Sequence, residues 1–315
     1  MYAELDRFLV PLDLPAARAY FNEALYVPQG IGGRLRRAIG RPGLRRASTT
    51  EGIAHALTML EEAPGAVLPQ TSPFYLRDYS DSDRGRTIAF FFQSTDRQPC
   101  LIAKTQHRLE HGPSLRAESE ALEQMRAFLP PELRSTIPKV IGFHSTPRGE
   151  LLLMTALSGR SAYIDMQGAL APWRYVEEHF DAAARWLAEF HLATRSSSSS
   201  RVGGVTVPHS AGHGDYWPRN VLLADPGAVG VVDWEHFMTA ASPLTDLLHY
   251  ATTYGLNYPW KGYHRAPEAI ALRRTYFEDN RVSRAVRRYL RLYVERTGIP
   301  QAAVDAAIAA VCKGR

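Results

Sequence analysis

Hydrophobic and polar positions follow a helical period at both ends of this chain and a strand period between. Pro15 to Leu25 places Ala16, Ala19, Tyr20 and Ala24 at helical spacing. Thr50 to Glu62 repeats the pattern with Ile53, Ala56, Leu57 and Leu60 behind Thr50 as N-cap. From about residue 74 the runs become short and apolar. Thr87–Gln93 and Pro99–Thr105 flank a polar turn and predict an antiparallel hairpin. Ser114–Phe128 returns to helical period, and Lys139–His144 with Glu150–Ala156 predicts a second hairpin. Strand, strand, helix, strand, strand is an α+β layer with one sheet and one long helix. From Gly159 onward helices dominate: Asp181–Thr194 is amphipathic through Ala183, Trp186, Leu187 and Phe190, followed later by Arg281–Arg296 and Gln301–Cys312. Ser196–Ser200 with Gly203-Gly204 reads as a flexible linker by composition.

The pattern divides the chain into a helical N-terminal extension (1–70), a sheet-bearing segment (71–157) and a mainly helical segment (158–315). With 315 residues, 45% of them hydrophobic, the chain can bury two cores. No apolar run approaches the ~20 residues that span a bilayer. Glu4, Asp6, Arg7 and Asp13 interrupt the first residues, so no signal peptide is expected. Two isolated cysteines, Cys100 and Cys312, fit a reducing cytoplasm and offer no metal-site spacing. The net charge of +5 is carried almost wholly by arginine and calls for no nucleic-acid partner. The basic run 34–46 reads as a solvated connector, with contact to an anionic surface as the sharper alternative.

The chemistry concentrates in His213-Gly214-Asp215-Tyr216-Trp217-Pro218-Arg219-Asn220 and in Val231-Val232-Asp233-Trp234-Glu235. Asn220–Ala224 and Val229–Trp234 predict two strands around the turn Asp225-Pro226-Gly227-Ala228, which brings Asp215 close to Asp233. Phosphoryl transfer needs a carboxylate near the attacking hydroxyl, a carboxylate on Mg²⁺ and a neutral oxygen completing the metal shell. Asp215, Asp233 and Asn220 supply those groups.

This order of elements resembles the aminoglycoside phosphotransferase and choline kinase-like family, relatives of the protein kinases. The resemblance implies a bilobal protein kinase-like α+β fold, with a small antiparallel-sheet N-lobe and a mainly helical C-lobe. It implies that Asp215 orients the acceptor hydroxyl, that Asn220 and Asp233 hold Mg²⁺, and that His213 and Asp246 brace the catalytic loop. In the N-terminal half, Leu101-Ile102-Ala103-Lys104 is similar to the family's strand lysine. Arg116-Ala117-Glu118-Ser119-Glu120 is similar to the helix carrying its partner. Glu118 is favoured; Glu120 is the alternative, since the two point about 200° apart on a helix. Leu151–Gly159 looks like the hinge, with Met154 and Ala156 beside the nucleotide base. His191, in the helix before the loop, is expected to be structural.

Two departures stand out. The phosphate-covering loop, Tyr79–Thr87, has one glycine and several acids, leaving Ser82 and Gly85 as candidate phosphate contacts. Tyr216, Trp217 and Arg219 replace the His and small residue of many relatives. The expected activity is Mg²⁺-dependent transfer of the γ-phosphate of ATP or GTP to a small-molecule hydroxyl. Arginines 273, 274, 281, 284, 287, 288 and 291 form a solvated face or, if they reach the acceptor, favour a neutral or anionic compound over a polycation. A peptide hydroxyl as acceptor and a non-catalytic nucleotide-binding scaffold are the alternatives.

Overall fold

The computed structural model describes residues 2–5, 8–11, 14–26, 32–35, 45–46, 58, 73–78, 86–92, 96–106, 114–146, 149–224, 227–259 and 267–313. The chain forms two compact units, 1–127 with 137–158 and 128–136 with 159–315. The first carries the sheet and the second most of the helix, an α+β arrangement in two units.

The first unit is built on an eight-stranded antiparallel sheet. Its strands are β1 (Tyr2–Leu5), β2 (Phe8–Pro11), β3 (Arg45–Arg46), β4 (Pro73–Asp78), β5 (Arg86–Phe92), β6 (Pro99–Gln106), β7 (Val140–Thr146) and β8 (Gly149–Thr155), in the order β3-β1-β2-β4-β5-β6-β8-β7. Both predicted hairpins are present: Ile88 pairs with Lys104 and Phe143 with Leu152. The β-branched and aromatic runs explain the choice of strand, since alternate side chains bury on a pleated surface. The expected helical extension is corrected here. Helix α1 (Pro15–Tyr20) and its π-helical continuation Phe21–Leu25 lie where the spacing predicts helix, but β1–β3 extend the sheet beyond β4. Residues of α1 and the π turn share a core with the sheet: Tyr20 rests 5.6 Å from both Phe90 and Phe92, with Val10, Ala17 and Phe21 buried around them. The strand signal at the start of the chain is short, four residues per strand, too brief for a period to emerge. The predicted helix at Thr50–Glu62 and most of the run 34–46 lie outside the described residues.

Helix α2 (Leu115–Phe128) buries Leu115, Glu118, Ala121, Leu122 and Met125, an i, i+3, i+4 face that contains one acid.

In the second unit follow α3 (Pro131–Arg134), β9 (Arg160–Ser161), α4 (Ala162–Gly168) and α5 (Val176–Ala193). Next come β10 (Ser199–Val202), β11 (Val205–Pro208), β12 (Ser210–Gly212), β13 (Val221–Ala224), β14 (Ala228–Val231) and β15 (Met238–Ala241). Four helices close the chain: α6 (Pro243–Asn257), α7 (Glu268–Tyr276), α8 (Arg281–Thr297) and α9 (Gln301–Lys313). The core is aromatic. Phe180 of α5 lies 5.6 Å from Tyr250 and 4.5 Å from Tyr254 of α6, and 5.4 Å from Tyr289 of α8. Helix α8 starts at a reciprocal capping box, Asn280 with Ser283, and stops at Gly298 in the left-handed region at φ 70°. Gly255 lets α6 approach α7, because a Cβ there would meet Thr275 Oγ1 at 1.9 Å. The serine- and glycine-rich stretch expected as a linker is instead the antiparallel hairpin β10–β11, turning at Gly203-Gly204. Two glycines at positive φ build a tight turn as readily as a loose linker.

Candidate active site

The predicted catalytic residues of the second unit converge on the segment between β12 and β13. Hairpin β13–β14 pairs Val221 with Val231, and Val232 N–H donates to the Asn220 carbonyl at 3.0 Å. The hairpin thus brings Asn220 next to the segment carrying Asp233. Asp233 has φ 71°, the single positive-φ non-glycine among the described residues. Aspartate tolerates this region better than most residues, but the conformation still costs energy, and such strain is characteristic of functional positions. The next residue anchors the turn: Trp234 is fully buried, donates from Nε1 to the Val231 carbonyl at 3.0 Å and packs 4.4 Å from the His213 ring.

Asp246 holds the loop from α6. Its carboxylate accepts the His213 amide at 2.6 Å and the Gly214 amide at 3.0 Å. Burial would raise Asp246, but His191, His213 and the backbone donor bring it below the ordinary carboxylate range. His191 Nε2 stands 3.8 Å from Asp246, an ion-pair separation too long for a hydrogen bond, while its Nδ1 meets Tyr293 OH at 2.6 Å. Gly214 is required: at φ 80°, a Cβ would meet the His236 carbonyl oxygen at 2.3 Å.

His213 is a neutral imidazole of one tautomer. Nδ1 accepts the Asp215 amide at 3.2 Å, so Nε2 carries the proton and donates to the Val232 carbonyl at 3.0 Å. Full burial lowers its pKa from the usual histidine value, outweighing the carboxylates nearby. His213 therefore ties the loop to the strand end that leads into Asp233.

Asp215 is held at both oxygens. Asn220 Nδ2 donates to Oδ2 and to the Asp215 backbone carbonyl, each at 3.0 Å. Because the amide NH₂ of Asn220 is committed to Asp215, its Oδ1 is the atom left for a hard cation. His249 Nε2 lies 3.2 Å from Asp215 Oδ1. The sequence reading missed His249. The signal was its i+3 spacing from Asp246, which puts both on one face of α6.

The residues between Asp215 and Asn220 divide. Tyr216 is core: fully buried, stacked at 5.7 Å on Trp186, its hydroxyl donating to the Ala183 carbonyl at 3.1 Å, and burial pushes its phenol well up. Trp217 and Arg219 remain partly exposed, with the Arg219 guanidinium 4.6 Å from the Tyr163 ring centre and 4.9 Å from that of Trp217.

In the first unit Lys104 Nζ pairs with both oxygens of Glu118, at 2.7 and 2.8 Å, with Glu118 wholly buried and Glu120 exposed. Met154 lies within the ladder opposite Ile102 and Val140. Ala156 N–H donates to the Cys100 carbonyl at 3.0 Å, so this amide, expected beside the base, already serves the sheet. Ser82 and Gly85 lie outside the described residues.

The arginines of α8 take the solvated-face alternative. Arg281 meets Glu177, Arg284 and Arg287 meet Asp279, Arg288 meets Asp181 and Arg291 meets Glu295. The apolar stripe Val282, Val286, Tyr289 and Tyr293 is buried. These arginines of α8 are a paired, solvated surface, and no anionic acceptor follows from them.

Residues 172–293 match the family model of the phosphotransferase enzyme family. That matched span carries His213, Asp215, Asn220, Asp233 and Asp246. No curated protein matches the chain. Among solved structures it is similar to an aminoglycoside-3'-phosphotransferase of type VIII, at 17% identity and TM-score 0.45 over 82% of this chain and 98% of that one. It is similar to APH(3'')-Id from Streptomyces rimosus in complex with ADP and streptomycin, at 14% identity and TM-score 0.47 over 82% and 97%. A thermostable mutant of APH(4)-Ia with ADP and hygromycin B gives 13% identity and TM-score 0.45 over 82% and 96%. No described helix is long and apolar enough to cross a membrane.

Proposed function

We propose that the protein transfers the γ-phosphate of ATP or GTP to the hydroxyl of a small molecule, with Asp215 as the catalytic carboxylate. The carrying observation is the double hold on Asp215, Asn220 at Oδ2 and His249 at Oδ1. A carboxylate fixed in this way, and one-third exposed, is ready to orient an incoming hydroxyl and accept its proton.

Asn220 Oδ1 and the Asp233 carboxylate are the residues that would hold Mg²⁺. Two hard oxygen donors suit an ion that takes its remaining ligands from water and phosphate. No described group of three or more His, Cys, Asp or Glu forms a self-sufficient metal cage. When bound, the ion neutralises charge on the phosphates. In the sheet unit, the Lys104 ammonium, aimed by Glu118, is the candidate phosphate contact. Its bidentate pairing restricts the lysine rotamers before nucleotide arrives. The sheet unit would then bind nucleotide and the helical unit would carry catalysis and acceptor.

A thermal shift with Mg-ATP and Mg-GTP tests the reading. Wild type is expected to be stabilised in a Mg²⁺-dependent way and Asp233→Ala not. No Mg²⁺-dependent shift with either nucleotide in wild type would favour a scaffold instead.

A further inference from the structure

A cavity of about 380 Å³ opens in the second unit beside the catalytic segment. Its walls come from Leu244 and Leu248 of α6 and from Ala307, Ala310 and Val311 of α9. His249 lines it as well, and the same imidazole places Nε2 3.2 Å from Asp215 Oδ1. The His249 and Asp215 side chains are 38% and 33% exposed, so both are within reach of solvent.

We infer that this cavity seats the acceptor, and that the acceptor is an uncharged alcohol with a substantial apolar face. The inference rests on the phosphotransferase reading and deepens it. Its volume falls among small-molecule sites, which span about 300–1,000 Å³. Among its described lining residues there is no carboxylate and no lysine or arginine. A polycation entering it would shed hydration and meet leucine, alanine and valine in return. An apolar ring or chain gains by the same exchange, and the hydroxyls of Ser242 and Thr245 in the lining suit a polar substituent.

His249 is then a positioning residue with two faces. Its Nε2–H steadies Asp215, and its ring forms the end wall past which the acceptor hydroxyl reaches the carboxylate. In the reaction the acceptor oxygen bonds to the γ-phosphorus and the bond to the β–γ bridging oxygen breaks. The hydroxyl proton passes to Asp215, and the nucleoside diphosphate leaves.

The test uses the full chain with 4-methylumbelliferyl β-D-glucopyranoside as an uncharged probe and streptomycin as a polycationic one, read by saturation-transfer NMR. The glucoside is expected to bind wild type and to lose at least tenfold in affinity in Ala310→Trp, whose fold is checked by circular dichroism. Streptomycin should not displace it. For His249, the slow hydrolysis of Mg-ATP is expected to fall at least tenfold in kcat in His249→Leu, with KM for Mg-ATP held. His249→Gln, which keeps a donor, should recover part of the rate. No glucoside binding up to its solubility, undiminished binding in Ala310→Trp, or displacement by streptomycin would overturn the inference. Failure of wild type to bind Mg-ATP would instead sink the phosphotransferase reading, while the glucoside arm would still report on the cavity.

Discussion

Replacing Asp246 by Asn is the most revealing perturbation of the loop. The carboxylate is 2% exposed and accepts two backbone amides, His213 N at 2.6 Å and Gly214 N at 3.0 Å. An asparagine keeps one acceptor and turns an NH₂ toward the other amide. The lost charge-assisted bond is worth about 1.5–3 kcal/mol, and a stranded buried N–H adds about 1–3 kcal/mol. With some relaxation a net loss of about 3 kcal/mol is expected, or roughly 6–12 °C in Tm for a unit of this size. Urea unfolding followed by tryptophan fluorescence measures it, since Trp186 and Trp234 lie in the core behind the loop. The m-value should not change. The asparagine variant should also lose the part of acid sensitivity that the low-lying Asp246 carboxyl confers. A loss below about 1 kcal/mol with nucleotide hydrolysis intact would refute the claim that Asp246 carries the loop.

Three further outcomes are expected. Gly214→Ala should destabilise by more than the ~1–2 kcal/mol of a left-handed alanine, because its Cβ also meets the His236 carbonyl oxygen; an unchanged Tm would contradict this. Lys104→Met should cost about 3 kcal/mol and abolish the Mg-ATP thermal shift, since it takes the opposing ammonium from the buried Glu118 carboxylate; Glu118→Gln should cost less, and a Lys104 variant with full activity would refute the assignment. Stability should fall on acidification in two stages. His213 has a lowered folded pKa, so its contribution is complete above its ordinary value of 6.5 and is lost as pH falls below that toward the folded value. Asp246 adds a loss as pH falls through its own lowered value, below 3.8. A Tm flat from pH 7 to pH 4 would contradict the first stage.

The parts of the fold legible in the sequence were those with a sustained period. The apolar stripe of α8 and its stop at Gly298 follow from spacing and a left-handed cap, and Thr87–Gln93 and Pro99–Thr105 sit within a residue of β5 and β6. Strands β1 and β2 were not legible, because four residues carry no period and their partners come from elsewhere in the chain. Glycines 203 and 204 are equally at home in a linker and in a hairpin turn, so composition misread β10–β11. The loop motif announced Asp215, Asn220 and Asp233. The contact between His249 and Asp215 needed the fold, since 34 residues separate them. The fate of the arginines on α8 also needed it, because their partners Glu177 and Asp181 lie on α5.

The most direct measurement is Mg-ATP hydrolysis by the full chain, wild type against Asp215→Ala, with Asp233→Ala in parallel. Wild type is expected to release ADP slowly without any added acceptor, only with Mg²⁺. Asp215→Ala should reduce that release about 10²–10⁴-fold, the range for a positioned general base, and Asp233→Ala should abolish the Mg²⁺-dependent release. Hydrolysis that persists undiminished in Asp215→Ala would contradict the account, because the carboxylate held by Asn220 and His249 would then have no part in the chemistry.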